Sequence, residues 1–229
     1  MRTTWPQKAI SNRLTEVWAR ETGRPLRIVV VGQEVAGKGK RRITMPERYA
    51  GVHDGSGLAR RFDGDGEHLR RNPHMRGTTL ALKTIFGISG TDHATEFLYL
   101  GGENAHIFDC FALVNRLLCA AHLEGTSTGK ATTTMLNNCE RHFRATLEIL
   151  EPTIVVIQGI KVWRWSQNIL VPVKQRGPTL VECDLDGRRV MVATFTHPSA
   201  WGSDRWDSPH STYFKEIVRP ALRQAVRTL

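Results

Sequence analysis

Short apolar runs rich in β-branched residues recur along the chain, separated by stretches with helical spacing. Four of these runs predict strands: Arg27–Gly32, Phe111–Asn115, Thr153–Gly159 and Arg189–Thr196. Nearly every position in each run is apolar, which is typical of parallel strands buried on both faces. The pattern therefore predicts a central, mostly parallel, four-stranded sheet covered by helices on both sides.

Helical periodicity appears in three places around these strands. Residues 5–21 and 133–150 repeat apolar positions every three or four residues. The C-terminal residues 210–227 do the same, but they contain Pro220, which we expect to kink or restart the helix because proline lacks a backbone N–H. Together these elements predict a single α/β domain over residues 1–229, built as three α/β/α layers.

One long stretch, residues 37–76, does not fit the alternation. It holds seven glycines and ten Lys or Arg residues and has little apolar periodicity. We interpret it as a basic, Gly-rich insertion that is mostly irregular. Two roles stay open for it: a solvated flexible loop, or a loop that contacts DNA.

The charge balance indicates a polyanionic partner. Lys and Arg number 32 against 22 Asp and Glu, a formal net charge of +10, and nucleic acid is the commonest partner of such a chain. An anionic membrane surface is the weaker alternative, because the charge is scattered and not gathered on one amphipathic helix. The chain lacks an 18-residue apolar run and an apolar signal core, so we expect a cytoplasmic protein that does not span a membrane.

The residues after the first strand nearly match the sequence pattern of a phosphate-binding loop. Gly32, Gly37 and Lys38 have the required spacing, but Gly39 stands where Ser or Thr would bind Mg²⁺. No helix-forming sequence follows Lys38, and neither the second nor the third predicted strand ends in Asp. These departures argue against a nucleoside triphosphate site.

Polar side chains follow the carboxyl ends of the predicted strands, where open parallel sheets bind ligands. Glu34 follows the first strand, Asn115 ends the second, Gln158 ends the third and His197 follows the fourth. A carboxylate, amides and an imidazole would therefore converge on one crevice.

These strand ends resemble the motifs of the uracil-DNA glycosylase superfamily. "GQEVAG" stands where the family has Gly-Gln-Asp-Pro-Tyr-His or Gly-Glu-Ala-Pro-Gly, "FALVN" where it has a base-reading Asn, and "THPSAWG" where it has His-Pro-Ser. Residues 137–159 are similar to the Cys-containing segment of the family's iron–sulfur branch. The motifs follow the family's order over most of residues 27–202. The resemblance implies a DNA glycosylase that flips a base out of DNA and leaves an abasic site. We expect it to act as a monomer.

The resemblance also implies roles for these residues. Glu34 would orient water and stabilise the sugar cation, and His197 would donate a hydrogen bond to the base oxygen where charge develops. Asn115 would read the pyrimidine edge, with Gln33 beside it. Plainer alternatives are a surface carboxylate for Glu34, a packed loop histidine for His197, and a cap or turn residue for Asn115.

Ala36 bears on which base is excised. Uracil-specific members have Tyr at this position, against C5 of the base, and a small residue leaves room for a bulky 5-substituent unless the insertion fills the gap. A phage-defence branch of the superfamily excises glucosylated hydroxymethylcytosine, and we expect this substrate and an antiviral role. The alternatives are uracil excision in DNA repair and a non-catalytic nucleic-acid-binding module.

Several further side chains are expected to contact DNA. Four basic residues at the start of the insertion would contact the DNA backbone: Lys38, Lys40, Arg41 and Arg42. Ser199 would grip a phosphate. Trp201 is a candidate wedge that fills the vacated stack, although a tryptophan is more often part of the core. Three aromatic residues are candidates for stacking on the flipped base: Phe62, His74 and Phe86. We prefer His74, which directly precedes a predicted helix starting at Met75.

The cysteines raise the question of an iron–sulfur cluster. Cys119 and Cys139 match two ligands of the iron–sulfur branch, but no cysteine precedes Cys110, so the branch's N-terminal pair is missing. Cys110 and Cys183 lie outside the family's ligand positions, although they could in principle complete an unusual set of four. We expect buried thiols, no cofactor and no metal. No Lys is placed as a Schiff-base nucleophile, so we expect hydrolysis without strand cleavage.

Overall fold

The computed structural model describes residues 19, 23, 26–33, 73–89, 93–100, 103–118 and 131–229. The strands are β1 Ile28–Gly32, β2 Phe97–Leu100, β3 Glu103–His106, β4 Phe111–Asn115, β5 Ile154–Gln158, β6 Val171–Gly177, β7 Leu180–Leu185 and β8 Arg188–Phe195. The α-helices are α1 Pro73–Ile85, α2 Thr133–Leu150, α3 Ile160–Ser166 and α4 Arg219–Thr228.

The central sheet has six strands in the order β4-β1-β5-β8-β7-β6. The first four are parallel to one another, while β7 and β6 extend the sheet as an antiparallel hairpin. A separate two-stranded sheet pairs β2 with β3. The predicted parallel strands are confirmed, but the predicted count of four is wrong. The strands of the added hairpin lack the continuous apolar run by which the four parallel strands were predicted: β6 is exposed and mostly polar, and Glu182 and Asp184 interrupt β7.

The two faces of the sheet pack against different helices. Val30 and Val156 point to one side, where they meet Leu82 of α1 and Leu222 of α4. The alternate residues of the same strands point to the other side and meet α2 and α3: these strand residues are Val29, Val31, Val155 and Ile157. Helices therefore cover both faces, which gives the predicted α/β/α layers.

Helix α2 has the predicted bounds, 133–150. Thr132 caps its N-terminus by accepting a hydrogen bond from the Met135 N–H, and Glu151 ends it in the left-handed region with φ 44°. The buried residues of the helix are Cys139, Phe143 and Leu147, all on the predicted apolar face.

Helix α1 begins earlier than the sequence pattern predicts. Its first residue is Pro73, so the last four residues of the predicted insertion 37–76 belong to the helix. Proline is favoured in a first turn because its missing N–H has no helical partner there. His74 therefore lies within the first turn and does not precede the helix.

The C-terminal helix accommodates Pro220 without a break. A π-helical segment, Phe214–Val218, directly precedes α4, and the chain stays helical to Thr228. The wider π-helical turn takes the place of the predicted kink or restart, because it avoids the clash of the proline ring with the preceding turn.

Other predictions concern residues that the structure does not describe. The predicted helix over 5–21 lies outside the described residues except for position 19, which is helical. None of the helices that are described is long and apolar enough to cross a membrane.

Candidate functional site

Four adjacent parallel strands end in one row of residues at the carboxyl edge of the sheet. Gly32 pairs with Asn115, Gln158 pairs with Phe195, and the neighbouring pair of Val31 and Ile157 places Gln158 beside Gly32. Side chains alternate along a strand, so these row residues point to the α1 side of the sheet. The row thus lies beneath the start of α1, at the edge where open parallel sheets bind ligands, and we call this region the crevice.

Gly32 brings Asn115 and His74 into contact range. A Cβ built on Gly32 would lie 3.0 Å from Asn115 Oδ1 and 3.3 Å from His74 Cε1. The missing side chain leaves the space that the Asn115 amide and the His74 ring approach from two sides. A larger residue at position 32 would push one of them away.

The loop after β8 orients His197 through its backbone. His197 Nδ1 accepts a hydrogen bond from the Ser199 N–H at 3.2 Å and lies 2.7 Å from Ser199 Oγ. Because a backbone N–H can only donate, Nδ1 must be unprotonated, and the proton of the neutral ring sits on Nε2. The ring of His197 is nearly parallel to that of His74, with centroids 6.1 Å apart and an interplanar angle of 21°.

Both imidazoles are shifted toward the neutral form. Burial lowers the pKa of His74 to about 4, with a further contribution from the nearby charge of His197. Partial burial also lowers the pKa of His197, although the residue as a whole remains exposed to solvent. At neutral pH the crevice therefore contains two uncharged rings, and each can donate one hydrogen bond.

Helix α1 packs directly on the His-Pro-Ser loop. A Cβ on Gly77 would lie 2.5 Å from Pro198 Cγ and 3.1 Å from the Trp206 ring. Trp206 is fully buried, and its indole N–H donates to the Thr196 carbonyl at 2.7 Å. Only glycine allows this approach, and the approach brings His74 and His197 face to face.

The two tryptophans of this loop have opposite environments. Trp206 belongs to the core, where its ring packs edge-on against Phe195 with centroids 5.6 Å apart. Trp201 is 97% exposed at the start of a short 3-10 segment, Gly202–Asp204. The alternative that Trp201 is a core residue is therefore wrong.

Two arginines beside the crevice share one buried carboxylate. Arg205 donates to Asp207 from Nε at 2.6 Å and from Nη2 at 2.9 Å, and Arg76 donates to it from Nε at 3.1 Å. These hydrogen bonds, led by those from Arg205, lower the pKa of Asp207 to about 2 although burial opposes the shift. The carboxylate side chain is 3% exposed while the arginines are 36% and 52% exposed, so Asp207 holds two outward cations in place.

A buried arginine supports the end of β4 behind Asn115. The Arg116 side chain donates from Nε to the Trp165 carbonyl at 3.0 Å and lies over the Phe143 ring at 5.3 Å. Burial lowers its pKa, against the raising effects of nearby Glu140 and Cys139. The Arg116 backbone N–H donates to the Gly32 carbonyl, which locks Asn115 beside β1.

The three described cysteines do not converge. Cys139 on α2 accepts a hydrogen bond from the Leu118 N–H at 3.4 Å, near the carboxyl end of β4, whereas Cys110 precedes the opposite end of that strand. Cys183 lies on β7, four strand positions from β4, and burial raises its pKa to about 12. Among the described residues, no group of His, Cys, Asp or Glu is arranged to hold a metal ion. Cys119 lies outside them.

The structure places about half of the predicted site. The predicted residues that it describes lie at the carboxyl edge of the sheet or on the loops and helix start beside it: Gln33, His74, Asn115, His197, Ser199 and Trp201. Of the stacking candidates, Phe86 follows the opposite end of α1 and packs against the core. Those outside the described residues are Glu34, Ala36, Lys38, Lys40, Arg41, Arg42 and Phe62.

Sequence reasoning missed Arg76, Arg205 and Asp207. A signal was present, since "RWD" at 205–207 follows the His-Pro-Ser motif closely. The partner Arg76 is more than a hundred residues away, and only the packing of α1 brings it to Asp207.

Comparison with known proteins does not assign the chain to a family. No protein-family model and no curated protein matches it. The functional assignment therefore rests on the strand-end motifs and on the geometry of the crevice.

Replacing Gly77 with alanine tests the contact between α1 and the His-Pro-Ser loop. Helix propensity alone predicts that Gly77→Ala stabilises the protein by about 0.5–1 kcal/mol. The Cβ would instead collide with Pro198, so we expect a loss of about 1–3 kcal/mol in the free energy of unfolding, measured in urea. A gain in stability would contradict the packing described here.

The lowered pKa of His74 predicts a pH-dependent stability. The unfolded chain takes up a proton near pH 6.5 that the folded ring takes up only near pH 4. Stability should therefore be complete above pH 6.5 and fall as the pH drops toward 4, by about 3 kcal/mol in total. The free energy of unfolding is measured in urea between pH 4 and 8 for wild type and for His74→Phe. The decrease between pH 8 and pH 4 should be smaller in His74→Phe than in wild type by about this amount. Equal losses in both proteins would contradict the burial of His74.

Proposed function

We propose that the protein is a monofunctional DNA glycosylase that hydrolyses the N-glycosidic bond of a flipped-out, 5-modified cytosine. The observation that carries this proposal is the orientation of His197. Ser199 occupies Nδ1, so Nε2–H is the ring's donor, and the same crevice holds Asn115 and His74.

The chemistry needs such a donor. When the glycosidic bond breaks, the sugar becomes cation-like and negative charge develops on the leaving base. A hydrogen-bond donor that is already oriented stabilises this charge without reorganisation. His197 is oriented by its own loop, and its lowered pKa keeps it in the neutral form with one donor and one acceptor.

Base recognition would use the two groups that meet at Gly32. The Asn115 amide offers one donor and one acceptor to a pyrimidine edge. His74 offers a flat, neutral ring on which a flipped base can stack. Glu34 follows two residues after Gly32, and we assign it to orienting the water nucleophile and stabilising the sugar cation.

Grip on DNA would come from the exposed side of the same loops. Trp201 is the wedge that replaces the flipped base, since it projects into solvent four residues after His197. Arg76 and Arg205, held by Asp207, face phosphates together with the basic residues Lys38, Lys40, Arg41 and Arg42. The net charge of +10 favours the same partner.

The substrate follows from Ala36 and from the resemblance to the phage-defence branch. Room beside C5 suits a bulky 5-substituent, so glucosylated hydroxymethylcytosine in phage DNA is the proposed base and antiviral defence the proposed role. The protein would act in the cytoplasm as a monomer without a cofactor. Uracil excision in repair is the alternative within the same chemistry.

Activity on defined DNA tests the proposal. Oligonucleotides carrying glucosylated hydroxymethylcytosine, uracil or unmodified cytosine are incubated with the protein, and abasic sites are counted. We expect abasic sites with the first substrate, and a loss of about 100- to 1,000-fold in kcat for His197→Gln. Glu34→Gln should also lose activity, while both variants keep their affinity for DNA. A protein that binds DNA but forms no abasic site in any substrate would be a binding module and not an enzyme.

Salt dependence tests the paired arginines. DNA affinity should fall steeply with salt, and Arg205→Gln should reduce the slope of log affinity against log salt by about 1, the value for one lost phosphate contact. Arg223→Gln on the exposed side of α4 carries the same charge change and should leave the slope unaltered. If Arg205→Gln and wild type have equal slopes, Arg205 does not contact a phosphate and the proposed role of this residue is wrong.

A further inference from the structure

Gln158 occupies a central place in the crevice but has no part in the chemistry above. It lies in the row of strand ends between Gly32 and Phe195, and it is fully buried. Its Nε2 donates to Thr78 Oγ1 at 3.0 Å. Its Oε1 is the one buried side-chain oxygen or nitrogen without a hydrogen-bond partner among the described residues.

The orientation of this amide is determined by α1. The Thr78 hydroxyl donates its single proton to the His74 carbonyl at 3.0 Å, so toward Gln158 it can only accept. Gln158 must therefore present its NH₂ group to Thr78, and Oε1 must point away as an acceptor. A rotated amide would place two acceptors against each other.

An unsatisfied buried acceptor is unfavourable in the free protein and is rare in native structures. Its cost disappears when a donor enters and bonds to it, so it favours ligands that bring a donor. This acceptor lies in the same row as Asn115, two strands away, and beside Thr78, which is one helical turn after His74. The proposed base would sit over this row.

We propose that Gln158 Oε1 accepts a hydrogen bond from the exocyclic amine of the flipped base and thereby selects a 4-amino pyrimidine over a 4-oxo pyrimidine. This inference rests on the proposed glycosylase function and deepens it. Asn115 alone does not explain the choice, because a freely rotating amide can match either edge by exchanging its donor and acceptor. The amide of Gln158 is pinned by Thr78, so it offers only an acceptor, which a 4-oxo group would oppose.

The test uses two bases with the same 5-substituent, one with an amino group and an unprotonated N3 and the other with an oxo group at position 4 and a proton on N3. Single-site oligonucleotides carry 5-(glucosyloxymethyl)cytosine or 5-(glucosyloxymethyl)uracil, and kcat/KM is measured for each. The wild type should prefer the amino base by about 10- to 100-fold, the cost of opposing two buried acceptors. Non-cleavable 2′-fluoro versions should show the preference as a difference in binding affinity.

Two variants test the Gln158 acceptor and its orientation by Thr78 separately. Gln158→Met keeps the length of the side chain without the acceptor, and the preference should fall to about threefold or less. Thr78→Val keeps Gln158 but releases its orientation, and the preference should fall there too. Gln167→Met, at an exposed position after α3, should retain the wild-type ratio. Thermal unfolding establishes that each variant is folded.

The outcomes are distinct for the two proposals. Equal excision of both bases by the wild type overturns the role of Gln158 and leaves the glycosylase intact. A preference that survives in Gln158→Met or in Thr78→Val overturns it as well. Excision of neither base overturns the proposed excision of a glucosylated base. Equal affinity for the two 2′-fluoro oligonucleotides overturns the role of Gln158, whether or not either base is excised.

Discussion

The close approach of Gly77 to Pro198 is the contact on which the arrangement of the crevice depends. It brings the start of α1 against the loop after β8. The buried Trp206 contacts both, since its ring packs against Gly77 and its indole N–H donates to the Thr196 carbonyl. His74 and His197 come from these two segments and face each other only because the segments touch. The same contact carries Arg76 to Asp207 and places Thr78 over Gln158.

The described residues of the crevice are uncharged at its centre and cationic at its rim. Burial and the bond from Ser199 keep two imidazoles neutral, while the Asp207 carboxylate holds two arginines with their charges outward. This division suits a ligand that combines a neutral base with a charged backbone. The cations at the rim remain in water and can exchange this water for phosphate.

The fold shows where sequence patterns carry information about strands and where they do not. The parallel strands β1, β5 and β8 are largely buried and mostly apolar, and the half-buried edge strand β4 is apolar up to Asn115, so all four were predicted from their apolar runs. The hairpin of β6 and β7 was not predicted. Glu182 and Asp184 interrupt the apolar residues of the buried β7, and β6 is an exposed edge strand with Pro172, Lys174 and Arg176. Such polar residues protect an edge from pairing with other chains, and they also hide the strand from a pattern of apolar residues.

The sequence by itself determined the parallel sheet, the bounds of α2 and the residues at the strand ends. These depend on local periodicity and on the rule that parallel strands share a carboxyl edge. Tertiary structure alone decided which ring of the loop is core and which is exposed, Trp206 or Trp201. It also decided the tautomer of His197, the low pKa of His74 and the fixed acceptor of Gln158. The tautomer of His197 depends on the fold of its own loop, which places the Ser199 N–H against Nδ1. The low pKa of His74 and the fixed acceptor of Gln158 depend on contacts between segments far apart in the chain, which no spacing within one segment encodes.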